Sequence, residues 1–382
     1  MLKNKIKVIK FYANRPDRGA TGGPGGVLFL QKYILGNTFE NVVLKYYFSK
    51  ENKFFKRHQF IYIFFKILFK ELFNFNSYYI CNEIDSAFAL ALLKKPYSLI
   101  YHQQGPIVEE KTNFGVKLNF YQKFLLHFIE RVAFINAKTL HFPSKGAEDM
   151  YFISELKSCK KNQVRIGQVV PNTIEQSPLT SIEFDPNCLT FLSIGSLTKA
   201  KGQDKTLQYI GRFLEKYNGK VRYIMIGRGP LEKELVLRGK ELENSHTKFE
   251  FIHYDRISHS EVLRLNKISD VYIMLHRISI FDLATLEAMD NSCAIVLSNI
   301  GGNIDFNKDN NIIFVDDNNF EKSINELINS DIDDLKKKNN EVFKKYFSNI
   351  SFKNTYENLI SNIILNDAET CTAVERNKPN CL

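Results

Sequence analysis

Short apolar runs alternate with longer stretches at helical spacing along almost the whole chain, and few folds accept that pattern. Ile6 to Tyr12, Val42 to Tyr47, Tyr78 to Cys81, Ser98 to Tyr101 and Thr139 to Phe142 read as strands. Between them, Val27, Leu30, Tyr33 and Ile34 recur at helical spacing, as do the apolar residues of Phe54 to Phe73, Asp85 to Leu93 and Lys117 to Phe134. A stretch rich in Pro, Ser and Thr, Val170 to Ser181, interrupts the pattern. It then restarts, with strands at Thr190 to Ile194, Val221 to Ile226, Phe249 to His253, Val271 to Leu275, Ala294 to Leu297 and Ile312 to Val315. Such alternation predicts a parallel sheet wound on both faces, and its restart predicts two of them. The expected division is 1–172 and 173–345, followed by a helical segment at 346–366 and a polar, aperiodic tail at 367–382. A chain of 382 residues, 44% of them hydrophobic, can build two cores of that size.

Composition narrows the functional classes. The net charge is +10, but the basic residues are not gathered around any recognisable RNA- or DNA-binding motif, so no nucleic-acid partner is expected. The run Phe60 to Phe73 is broken by Lys66 and Lys70 and is too short to span a bilayer, while Met1 to Lys10 reads as a strand and not as an apolar leader. The expected location is therefore cytoplasmic. Cys81, Cys159, Cys188, Cys293, Cys371 and Cys381 show no metal-ligand spacing, so reduced thiols and no metal are expected. Within Lys50 to Phe73, lysines interleave with phenylalanines. Two readings stay open for it: a helix filling the first core, or a basic aromatic helix lying at an anionic membrane on the inner face of the cell membrane.

In an alternating α/β chain, loops that leave strands and feed helices sit at the carboxyl edge of the sheet, where ligands bind. Four stretches qualify. Gly25 and Gly26 close a glycine-rich loop after the first strand and precede Val27; glycines admit a close phosphate, and a helix start adds N–H donors. Tyr101-His-Gln-Gln-Gly-Pro106 leaves a strand of the first half. Gly195 to Gly202 follows the first strand of the second half, with Lys201 placed to neutralise a developing phosphate charge. The fourth is Leu275 to Gly302, in which Arg277 to Asp282 feeds a helix carrying Leu283, Leu286 and Met289 on one stripe. The N–H groups of that helix suit a diphosphate, and Glu287, one turn in, suits vicinal ribose hydroxyls.

That last stretch resembles the nucleotide-sugar-binding segment of family 4 glycosyltransferases, which have the two-domain GT-B fold. Phe281, Leu283, Leu286, Glu287, Ala288 and Met289 stand in the family's register. Ser279 stands where the family has a first Glu, and Asp282 where it has Gly. Lys201-Gly202 keep a second register, with Ser196 in the place of an Arg, and Ile226-Gly-Arg-Gly-Pro230 resembles the family's turn after the second strand. The resemblance implies a GT-B fold with two doubly wound Rossmann-like domains facing across a cleft and a C-terminal helix crossing back. It implies retaining transfer of a hexose from a nucleoside diphosphate sugar to a glycan or lipid-linked acceptor of a bacterial surface polysaccharide, without a cofactor. The implied donor residues are Gly25, Gly26, Lys201, Arg228, Ser279, Phe281, Asp282, Leu283 and Glu287, with His102 near the transferred sugar. Asp282 either turns towards the sugar or caps the helix. Two rivals stay open, an inactive GT-B partner subunit and a nucleotide-sugar 2-epimerase.

Overall fold

The apolar runs are β-branched and aromatic in part and four to seven residues long, and they form strands because both of their faces are covered. The structure, a computed structural model, describes residues 6–13, 19, 24–48, 59–113, 115–176, 187–316 and 319–376, and their side chains except at 24, 59–63 and 368–376. In chain order the first half holds β1 (Val8–Tyr12), α1 (Pro24–Leu35), β2 (Thr38–Phe39), β3 (Val42–Tyr47), α2 (Gln59–Glu71), β4 (Ser77–Cys81), α3 (Ile84–Leu92), β5 (Tyr97–Ile100), α4 (Ile107–Asn113), α5 (Phe120–Ile135), β6 (Thr139–His141) and α6 (Lys145–Ile153). The second half holds β7 (Cys188–Ile194), α7 (Gln203–Leu214), β8 (Lys220–Ile226), α8 (Glu232–Ser245), β9 (Phe249–Tyr254), α9 (His259–Ile268), β10 (Val271–Met274), α10 (Leu283–Asp290), β11 (Ala294–Ser298), β12 (Ile312–Val315), α11 (Phe320–Asn329) and α12 (Ile332–Val342). The chain closes with α13 (Asn349–Arg376).

Two compact units result. The first comprises residues 1–144, 148–173 and 349–382, and the second residues 145–147 and 174–348. The first unit's sheet runs β2-β3-β1-β4-β5-β6, parallel except for the two-residue β2, which pairs antiparallel to β3. That short hairpin was not legible in the sequence. It turns through Glu40, whose φ is 48°. The second unit's sheet runs β12-β11-β10-β7-β8-β9, parallel throughout. In each sheet the order reverses once, between β1 and β4 and between β7 and β10, and these are the topological switch points.

Period-two packing is explicit in the second unit. Phe191, Tyr223, Ile273 and Val296 enter one core, while their neighbours Leu192, Ile224, Tyr272 and Ile295 enter the core on the opposite face. The first unit's core joins Ile9, Phe11, Leu28 and Ile80 to Phe352, Tyr356, Leu359, Ile360, Ile363 and Ile364 of α13. Those six recur at helical spacing, so α13 is a wall of the first core. It runs ten residues past the expected 346–366 and takes in 367–376, the first part of the stretch read as a tail.

The Lys50 to Phe73 segment shows features of both readings, with Lys50 to His58 outside the described residues. Ile67 and Glu71 of α2 are buried, and Phe64 packs on Phe88 at 5.8 Å between ring centres. Phe65 and Phe69 are exposed. Glu71 is the anchor. It accepts from Lys10 Nζ (2.5 Å), Tyr12 OH (2.5 Å) and Tyr79 OH (2.7 Å), all buried beneath the helix. A buried ammonium and carboxylate offset their desolvation only when paired and hydrogen-bonded in this way. Among the described residues, no helix is long and apolar enough to cross a membrane.

Candidate active site

The second unit gathers loops at its switch point. Lys201 lies on the loop between β7 and α7, and Ser279, Phe281 and Asp282 lie on the loop between β10 and α10. Gly202 lets the first loop lie against the end of β10. Its φ is +72°, and a Cβ there would stand 1.8 Å from the Leu275 carbonyl oxygen. Only glycine adopts that conformation against that neighbour at low cost. The two loops are then bound together. Arg277 N–H donates to Ala200 O at 2.8 Å, and its guanidinium forks onto Asp204 with two bonds of 2.7 Å. From the β11 side, Ser298 Oγ donates to His276 O and Gly302 N to Ser279 O, each at 2.8 Å.

At the centre, Lys201 Nζ donates to Asp282 Oδ1 at 2.6 Å. The other oxygen of Asp282 accepts from Tyr272 OH, Thr285 N and Thr285 Oγ1, each at 3.2 Å. Asp282 is thus the N-cap of α10. Burial by itself would raise its pKa, but the Lys201 ammonium outweighs burial and holds the carboxyl well below its ordinary value. His276 is buried beside the pair, its Nε2 3.4 Å from Lys201 Nζ and 3.8 Å from Asp282 Oδ1. Burial and the neighbouring ammonium lower the His276 pKa, so the ring is neutral at pH 7. An ammonium has no lone pair, so the contact requires Nε2 of His276 to be the acceptor.

These positions correct several expectations. The start of α10, expected to be open to a diphosphate, already has the Asp282 carboxylate on the Thr285 N–H. Asp282 caps and pairs with Lys201; its cap contacts and ion pair take up both oxygens. Phe281 is a core residue, 4.6 Å from the Phe306 ring centre and 5.7 Å from that of Phe347, so its side chain packs and only its backbone faces the loop. Leu283 is half-buried against the same cluster. Ser279 is buried, with its hydroxyl unpartnered among the described residues. Arg228 is exposed, and its carbonyl accepts from Leu197 N at 3.0 Å, stapling the loop after β8 to the loop after β7. Glu287 lies one turn into α10, its side chain 18% exposed, and accepts from His259 Nε2 at 3.1 Å. Glu287 raises the His259 pKa in return.

In the first unit, Gly25 and Gly26 belong to the first turn of α1 and not to the loop before it. Pro24 at the first helical position sets the helical φ, which starts the helix earlier than its apolar spacing indicates. Residues 14–18 and 20–23 of the glycine-rich loop lie outside the described residues. His102 follows β5, with Nε2 3.4 Å from Asn82 Oδ1. Asn82 exchanges amide bonds with Gln31 at 3.0 and 3.1 Å, and Gln31 donates to Tyr356 OH at 2.6 Å. A polar chain therefore runs along the carboxyl edge from α13 through α1 to His102. Burial pushes the His102 pKa down to about 4, so the ring is neutral at pH 7. Glu109 and Glu110 lie in α4 and accept from Ser154 Oγ, just past α6, and from Gln104 N.

Sequence reasoning missed Tyr272, His276, Arg277 and Asp204 in the second unit, and Gln31 and Asn82 in the first. His276 shows no ligand spacing in the sequence. The available signal was position, since His276 and Asn82 follow their strands almost directly at switch-point edges, where side chains reach a ligand.

Two doubly wound parallel sheets are the architecture of the GT-B fold. Residues 180–346 match the family of glycosyl transferases group 1, and that match together with the fold makes the chain a glycosyltransferase. No curated protein sequence matches. Among solved structures, sucrose-phosphate synthase from Thermosynechococcus elongatus is similar with a TM-score of 0.68 at 12% identity, covering 94% of this chain and 99% of that one. Anabaena Alr3699/HepE in complex with UDP is similar with a TM-score of 0.62 at 12% identity, over 94% and 100%. Trehalose-6-phosphate synthase OtsA gives 0.63 at 12% identity, over 93% and 98%. At these identities the likeness shows the fold.

Proposed function

We propose that this chain is a family 4 glycosyltransferase that moves a hexose from a nucleoside diphosphate sugar, with retention of configuration, to a glycan or lipid-linked acceptor of a bacterial surface polysaccharide. The observation that carries this reading is Lys201 at the second unit's switch point, with Glu287 one turn into the adjoining helix, inside the family-matched segment. Lys201 meets the charge that grows on the departing diphosphate, and positioning with charge stabilisation accounts for the catalysis. In this reading the donor's own phosphate takes the acceptor proton, and neutral His102 hydrogen-bonds the sugar. No cofactor beyond the donor is invoked. Solved relatives hold UDP, and one holds UDP with glucose, which supports a nucleotide donor here.

A cytoplasmic enzyme working at the inner membrane face is supported by the exposed Phe65 and Phe69 of α2 and the exposed Phe120, Tyr121 and Phe124 of α5, with Lys66, Lys70 and Lys123 exposed on the same two helices. Cosedimentation with phosphatidylglycerol vesicles, set against phosphatidylcholine vesicles, tests that part. The transferase reading itself is tested by a panel of nucleotide sugars. One donor should raise the melting temperature, and the product with a glycan acceptor should keep the donor's anomeric configuration by NMR. Stabilisation without transfer or hydrolysis would favour the inactive-partner reading, which the absence of Arg and Glu at Ser196 and Ser279 supports. A C2-inverted sugar released without acceptor would mark an epimerase.

A further inference from the structure

In the second unit, the lysine and helix start read as the diphosphate site both donate to an anion of the chain's own. Lys201 Nζ, Thr285 N at the start of α10 and Tyr272 OH all donate to the Asp282 carboxylate, at 2.6, 3.2 and 3.2 Å. The carboxylate is nine-tenths buried and ionised, with its pKa well below the ordinary value because the Lys201 ammonium outweighs the burial. A diphosphate arriving here meets a lysine that is already neutralised and a second negative charge beside it. Like charges at this range repel, and a cation satisfied by one anion gains little from another until the first releases it.

We infer that Asp282 is an internal competitor for the donor: it holds Lys201 when the site is empty, yields it to the diphosphate on binding, and takes it back to help expel the nucleoside diphosphate after transfer. This rests on the reading of the second unit as the donor site. Asp282 acts on the donor through Lys201 and is a positioning residue. Lys201 stays aimed into the site throughout, because its first partner stands on the loop that borders the ligand. The cost is weaker nucleotide binding, and the return is an exit route for a product that carries more negative charge than the donor.

The decisive substitution is Asp282→Asn. Asparagine caps helices as well as aspartate does, so α10 keeps its start while the competing charge goes. UDP, GDP and ADP, each with its parent nucleoside as control, are titrated into the full-length parent and variant by calorimetry. The expected result is a nucleoside diphosphate bound on the order of tenfold to a hundredfold more tightly by Asp282→Asn, the range for one charged hydrogen bond gained. The gain should be absent for the uncharged nucleoside, and absent again when Asp282→Asn is made in a Lys201→Ala background. A role limited to folding moves neither comparison. Unchanged or weaker diphosphate binding by the folded variant overturns the proposal, as does a gain that survives Lys201→Ala. If neither parent nor variant binds any nucleoside diphosphate, the donor-site reading falls and the proposal with it. Asp282→Ser, which also caps, serves should Asp282→Asn fail to fold.

Discussion

Replacing Glu287 by alanine measures how much the ribose contributes to donor binding. The carboxylate is 18% exposed, with one oxygen on His259 Nε2 at 3.1 Å. A bound donor offers two vicinal hydroxyls, and a hydrogen bond to a charged group contributes about 1.5–3 kcal/mol net. Against that stands the His259 contact, whose imidazole is 58% exposed and which is worth about 0–1 kcal/mol as a surface pair. If binding displaces it, the net loss in Glu287→Ala is about 2 kcal/mol, or roughly thirtyfold in dissociation constant. The assay is calorimetry with the cognate nucleoside diphosphate and its 2′-deoxy and 3′-deoxy analogues. The parent should discriminate against the deoxy analogues, and Glu287→Ala should bind all three alike. An unchanged dissociation constant refutes the reasoning, and so does a variant that still prefers the full ribose.

Three further outcomes follow from the geometry. Lys201→Ala should lower turnover at saturating donor, and it should also cost about 3–5 kcal/mol in urea denaturation because Asp282 is left buried without its cation; adding Asp282→Asn should restore most of the stability and none of the turnover. Gly202→Ala should cost at least about 1–2 kcal/mol from its left-handed backbone, before the clash with the Leu275 carbonyl, and should abolish turnover by moving Lys201. Glu71→Gln should cost about 3–5 kcal/mol by leaving Lys10 unpaired. Burial alone would raise the Glu71 pKa, but bonds from Lys10, Tyr12 and Tyr79 lower it overall. Its contribution is therefore complete above the unfolded value of about 4.3 and lost as the pH falls through the lower folded value. The stabilities of parent and variant should converge only at acid pH.

The sheets were legible because strands buried on both faces are written as continuous apolar runs, and nearly every expected strand lies within a residue or two of its observed position. The sites were legible only to the level of the loop. Register placed Phe281 among the donor residues, yet an aromatic in a strand-to-helix loop serves the core as readily as a ligand, and here it packs on Phe306. Asp282 stood out as a departure from a family pattern, but whether it capped, paired or faced the sugar depends on Lys201, which lies 81 positions away. The Gln31–Asn82–His102 chain joins three segments whose only sequence signal is a polar residue at an edge. Pairings between distant side chains are set by tertiary packing, and no local period encodes them.

The position of α13 bears on how the protein is made. Its six core residues each contribute about 1.5–3 kcal/mol of burial, a sum comparable to the whole net stability of a domain. They belong to the core that Ile9 and Phe11 begin, more than 340 positions earlier in the chain. During synthesis the first sheet must therefore wait, with one side unroofed, while the second unit is translated and can complete its own core. A nascent chain is thus aggregation-prone at its first unit until α13 leaves the ribosome. Truncation before Phe352 would leave the second unit intact and remove a wall from the first, so α13 ties the folding of the first unit to the translation of the second.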